Sequence, residues 1–154
     1  MIFDADGQAA QTELKDQRKG AVRYMIKTYV IDTNVLIQAP YAIECFEENN
    51  LVLPLVVLEE LDGLKKAEGE KGANARAAVR KLESYRQKGD LLQGVKLPGG
   101  GILRIEKNFV QVELPQDIPD DKPDNRILKV CKGLAETEKE GQVILVTKDI
   151  VLRL

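Results

Sequence analysis

The sequence predicts an α/β domain, an open and mostly parallel sheet covered by helices. Three observations lead there. The stretches "TYVID" (28–32), "LVLP" (51–54) and "QVILVTKD" (142–149) are short, nearly continuous apolar runs rich in β-branched residues. Such runs suit strands that are buried on both faces. Between them lie stretches of helical period, and the resulting order, βαβα…αβ, is that of parallel strands joined by helical crossovers.

In chain order, residues 1–25 are polar and lack sustained periodicity. They read as a flexible tail with at most one marginal helix over 12–24, and the domain is expected to occupy 26–154. After the first strand, "AIECFEENN" reads as a short helix stopped by Asn49 and Asn50. "LVVLEELDGLKK" places Val57, Leu58, Leu61 and Leu64 on one helical stripe. "ANARAAVRKLESYRQ" is a strong helix with Ala75, Ala78, Val79, Leu82 and Tyr85 on its apolar face, and Gly89 ends it. Residues 95–105 surround Pro98 and three glycines and predict a β-hairpin insertion, with an alternating strand after it. A Pro-rich polar loop follows. "NRILKVCKGLAETEKE" then presents Ile127, Leu128, Cys131 and Leu134 inward from a last helix.

Composition narrows the chemistry. The chain has 154 residues, enough for one domain with a core, at 44% hydrophobic and 31% charged. No apolar run is long enough to span a membrane or to serve as a signal peptide, so the expected location is the cytoplasm. Histidine is absent, which excludes Ser-His-Asp triads, Cys-His pairs and His-based metal sites. Cys45 and Cys131 stand far apart without a CxxC spacing, so both are read as reduced and buried. The net charge of −2 gives no sign of a globally basic nucleic-acid binder. Residues 65–88, however, hold eight bases against three acids, a local balance of +5. Lys65, Lys66, Arg76 and Arg80 are the candidate phosphate contacts in this stretch. A solvated helix face is the plainer reading.

The remaining signal is acidic. Ligands of open α/β sheets bind outside the carboxyl ends of the strands. Asp32 and Asp149 each follow an apolar strand and would converge on one rim, where their repulsion calls for a proton or a cation. Glu60 lies beside the apolar stripe of its helix, whereas Glu59, about 100° round, turns toward water. Asp124 opens the last helix, as a cap or as a further acid at the same rim. Asp120 and Asp121 read as a solvated loop. Four carboxylates without histidine or thiolate suit a hard cation such as Mg²⁺ or Mn²⁺, which can activate water against a phosphodiester. Thr33, Asn34 and Thr147 are neutral partners that could orient the carboxylates. "LPGGGIL" lacks the Lys-Ser/Thr of a phosphate loop and reads as a turn.

Taken in order, "VIDTNVLI", "LVLPLVVLEELDGLKK", "PDNRIL" and "VILVTKD" resemble the acidic motifs of PIN domains, over roughly 27–154. The resemblance implies a Rossmann-like three-layer α/β/α sandwich and a metal-dependent ribonuclease acting on single-stranded RNA. Its four acids map onto Asp32, Glu60, Asp124 and Asp149, its hydroxyl near the last acid onto Thr147, and its polar pair onto Thr33 and Asn34. The Ala- and Arg-rich helix and the Gly-rich hairpin narrow the likeness to the PIN domain of PhoH-like proteins, in which an ATPase domain follows. That implies a C-terminal ATPase partner domain, and PIN domains in general imply a homo-oligomer. This chain has no GxxxxGK[ST] loop and stops five residues after Asp149, where the family fold adds a helix and a strand. A piece of a longer protein is therefore expected. Competing readings are a non-catalytic RNA- or partner-binding module and a toxin of a toxin–antitoxin pair. A phosphotransfer domain fits less well, because a HAD-type site needs an Asp where Asn34 stands and a receiver needs an acidic pair that "DTN" does not supply.

Overall fold

Val30 and Ile31 have no solvent exposure, as expected of a β-branched run at the centre of a covered sheet. The computed structural model describes residues 2–3, 9–10, 26–109, 112–114, 122–137 and 142–147. In chain order these form β1 (Ile2–Phe3), β2 (Ala9–Ala10), β3 (Thr28–Ile31), α1 (Thr33–Gln38), a 3-10 helix (Pro40–Glu44), β4 (Asn50–Pro54), α2 (Leu55–Leu64), α3 (Gly69–Arg86), β5 (Val95–Lys96), β6 (Ile102–Glu106), α4 (Pro123–Thr137) and β7 (Val143–Val146). The described strands make one sheet in the order β2-β1-β7-β3-β4-β6-β5. The inner four, β7, β3, β4 and β6, are parallel, and antiparallel pairings occur only toward the edges.

Successive strand residues face opposite sides of a sheet. Leu51, Val52 and Leu53 of β4 are all fully buried, so both faces are covered. This is the α/β/α layering the sequence predicts. The register pairs Ile31 with Val146 and Pro54 with Glu106. The residues that follow β3, β4, β6 and β7 therefore emerge along one rim.

α3 is held by side chains from its own length. Asn74 Nδ2 donates to the Ile37 carbonyl at the end of α1, 2.7 Å away. Arg76 Nη1 donates to the carbonyls of Lys65 and Ala67, at 2.7 and 3.3 Å. The Tyr85 hydroxyl donates to Glu44 Oε1 at 2.6 Å, which ties α3 to the 3-10 helix. Its apolar face is Ala75, Ala78, Leu82 and Tyr85, all buried. Among the described residues no helix is long and apolar enough to cross a membrane.

Several expectations need adjustment. Residues 2–3 and 9–10, within the stretch read as a flexible tail with at most one marginal helix, form two short strands that extend the sheet beyond β7. Two-residue strands carry no periodic signal. The marginal helix over 12–24 lies outside the described residues. The helix expected at 42–50 is a 3-10 turn that begins at Pro40, and Asn50 belongs to β4. The hairpin at 95–105 is present, but its second arm is β6, which pairs in parallel with β4 and so is part of the sheet. No strand continues into 107–109 or 112–114. Cys131 is buried as expected, whereas Cys45 is exposed at the end of the 3-10 turn.

The glycines of the hairpin have a packing reason. A Cβ on Gly101 would lie 1.8 Å from the Asn49 carbonyl oxygen, and one on Gly99 would lie 2.3 Å from that of Glu47. The hairpin tip rests backbone to backbone on the turn before β4.

Candidate active site

Asp32 stands one residue beyond β3, and its backbone N–H still donates to the Val146 carbonyl at 3.0 Å. Strand pairing thus fixes its backbone, and the residue is only 2% exposed. The ordinary role for an Asp there is to cap α1. Its side chain makes no such bond. Instead Oδ2 accepts a hydrogen bond from the Thr147 hydroxyl, 2.9 Å away, across the β3–β7 boundary.

Thr33 follows as the first residue of α1 and is also buried. Its hydroxyl donates to Glu60 Oε1 at 3.1 Å. Glu60 is half-buried on α2, while Glu59 is exposed and pairs with Arg126 Nη1 at 3.3 Å. The dipeptide Asp32–Thr33 therefore connects β7 to α2. One residue offers a carboxylate to Thr147, and the next orients the carboxylate of Glu60. Asn34 is exposed on α1.

Asp124 is the second residue of α4. The Arg126–Glu59 pair brings that first turn of α4 against the turn of α2 that carries Glu60. The Asp124 side chain and the whole of Asp149 lie outside the described residues. Among those described, no three His, Cys, Asp or Glu side chains come together as a metal-holding group. The described part brings together two acids and two hydroxyls. All of these donors are oxygens, in a chain without histidine, and such a set suits a hard divalent cation.

The basic candidates divide. Lys65 pairs with Asp62 at 2.6 Å, a bond that holds the Asp62 carboxyl below the ordinary range. Arg76 closes the α2–α3 turn through the two carbonyls given above. Lys66 and Arg80 are exposed.

A further carboxylate lies at the same rim and was not anticipated. Glu106 ends β6, is 6% exposed, and accepts from Arg104 Nη1 at 2.9 Å and from the Asn108 N–H at 3.0 Å. The signal was available, since "ILRIE" ends an apolar strand on an acid just as "YVID" does.

Known proteins resemble this chain over most of its length. It is 49% identical over 134 residues to protein PhoH2 of Bacillus subtilis (strain 168), covering 84% of this chain and 30% of that protein. It is 41% identical over 131 residues to protein PhoH2 of Mycolicibacterium smegmatis, covering 83% and 29%. The chain thus spans less than a third of the length of these curated relatives. Residues 29–154 match the PIN domain family, a span that holds Asp32, Glu60 and Thr147 together with the four parallel strands that position them, and the chain belongs to that family.

Proposed function

We propose that this chain is the metal-dependent endoribonuclease part of a longer PhoH-like protein that also carries an ATPase domain. Its substrate is single-stranded RNA, and the reaction is phosphodiester hydrolysis. The observation that carries this reading is the buried carboxylate of Asp32. It stands at the carboxyl edge of the sheet, does not cap α1, and is aimed by Thr147.

Asp32 and Glu60 would hold Mg²⁺ or Mn²⁺, with Asp124 and Asp149 completing the set. When bound, such an ion lowers the pKa of water and neutralises charge on the phosphate. The chain's own residues supply orientation. Thr147 fixes one acid and Thr33 the other, so both carboxylates are set before substrate arrives. Burial of Asp32 excludes bulk water and strengthens its interaction with a cation. Lys66 and Arg80, the two exposed candidates that no described bond engages, are the proposed contacts to the RNA backbone, and such contacts carry no base information.

Cleavage of a labelled single-stranded RNA pool in Mg²⁺, in Mn²⁺ and in EDTA tests this, beside Asp32→Asn. Metal-dependent cleavage that is lost in the variant is expected. Cleavage that survives in Asp32→Asn would refute the assignment of the site. RNA binding without any cleavage would favour a binding module.

A further inference from the structure

A cleft of about 210 Å³ opens at the carboxyl ends of β4 and β6. Pro54, Phe109 and Val130 give it apolar walls, and Glu106, Asn108 and Arg126 add polar groups. Three features set it apart from a packing gap.

Phe109 has φ 69°, a left-handed backbone that bulky residues rarely adopt. Such strain persists only where the surroundings hold it. Here the phenyl ring rests on Gly133 of α4, where an added Cβ would lie 2.2 Å from Phe109 Cδ1. The glycine makes room for the ring, and the ring lines the cleft. Beside it, the Glu106 carboxylate is held by Arg104 and by the Asn108 N–H, so a polar edge is fixed next to an aromatic face. Finally, Arg126 belongs both to this cleft and to the Glu59 pair beside Glu60. Leu55, on the cleft wall, and Glu60 both belong to α2, about 7.5 Å of rise and about 140° of turn apart.

We propose that this cleft receives a nucleobase of the RNA strand, next to the phosphate that is cleaved. The base stacks on Phe109, its polar edge meets Glu106 and Asn108, and Arg126 contacts the adjoining phosphate. The choice of RNA rests on the nuclease reading, but the cleft itself does not depend on turnover.

The test is direct binding in EDTA, where cleavage does not enter. Fluorescein-labelled hexaribonucleotides are titrated with the full chain and followed by anisotropy. Phe109→Leu keeps apolar bulk and removes the stacking face, and it should weaken binding about tenfold, or about 1.4 kcal/mol, within the range for one stacked base. The chain has no tryptophan, so Phe109→Trp gives a single reporter whose emission should be quenched by bound RNA. A hexamer lacking its bases should bind wild-type chain at least tenfold more weakly, a comparison that needs no variant. Equal binding of the abasic strand, or unchanged affinity in a folded Phe109→Leu chain, would overturn the proposal. A chain that shows these binding effects yet cleaves nothing in Mg²⁺ would overturn the nuclease reading and leave the cleft standing.

Discussion

Replacing Thr147 with Val keeps the side chain's shape and removes the hydroxyl that donates to Asp32. Both ends of the bond are buried, at 9% and 2% exposure, and its length is 2.9 Å. A hydrogen bond to a charged acceptor contributes about 1.5–3 kcal/mol, so a loss of about 2 kcal/mol is expected in EDTA. In a chain of 154 residues that lowers Tm by roughly 4–8 °C. Thr147 makes a further interaction as well, so the single variant overstates the pair. The same substitution in an Asp32→Asn background corrects for this. There the acceptor is neutral and the bond contributes about 1 kcal/mol. The two costs should therefore differ by about 1 kcal/mol, which is the coupling of a double-mutant cycle. Urea titrations of the four proteins measure it, provided their m-values agree. If Thr147→Val costs the same in both backgrounds, the hydroxyl does not serve the Asp32 charge and the positioning argument fails.

Burial and the Glu44 carboxylate push the Tyr85 hydroxyl up to about 12 from its ordinary value of 10. A raised pKa contributes stability that is whole below pH 10 and lost as the pH climbs through 12. Tyr85→Phe should accordingly be about 1 kcal/mol less stable at pH 8, and urea midpoints should show the gap closing between pH 10 and 12. Gly101→Ala should cost about 1–3 kcal/mol because its Cβ meets the Asn49 carbonyl. Gly63→Ala, with open space inside α2, should instead gain about 0.5–1 kcal/mol in thermal denaturation. Cys45 is exposed, while Cys131 is sealed and burial pushes its thiol up. A thiol reagent such as DTNB should therefore modify one cysteine in the native chain and both in denaturant.

Three of the four parallel strands were legible, because "TYVI", "LVLP" and "VILV" are continuous apolar runs; the fourth, β6, carries Arg104 at its middle and was not. Long helices were equally plain, since α3 and α4 repeat their apolar positions over several turns. Elements shorter than one period were not. The six residues of α1, the 3-10 turn at Pro40 and the two-residue strands β1 and β2 offer too few positions to establish a pattern. Cys45 was misplaced because free cysteines are commonly buried, whereas this one stands exposed at the end of the 3-10 turn. At the site, an acid after an apolar strand marked Asp32, and helical phase separated Glu60 from Glu59. The hydroxyl donors' choice of acid could not be read from sequence, because Thr147 meets Asp32 only through the β3–β7 register. Glu106 was overlooked because its strand was taken for the arm of an inserted hairpin and not for a member of the parallel sheet.

The two hydroxyl bonds at the site differ greatly in reach along the chain. Thr33 and Glu60 are 27 residues apart, whereas Asp32 and Thr147 are 115 apart. Contacts between distant segments close a longer loop and tend to form late. During synthesis from the N-terminus, β3, α1 and α2 can assemble while β7 is still unmade. The Asp32 carboxylate then has no strand beside it and no hydroxyl to aim it. The Asp32 carboxylate therefore takes its final orientation only after Thr147 has been made, so the geometry of the site is completed late in synthesis and not by the segment that carries its first acid.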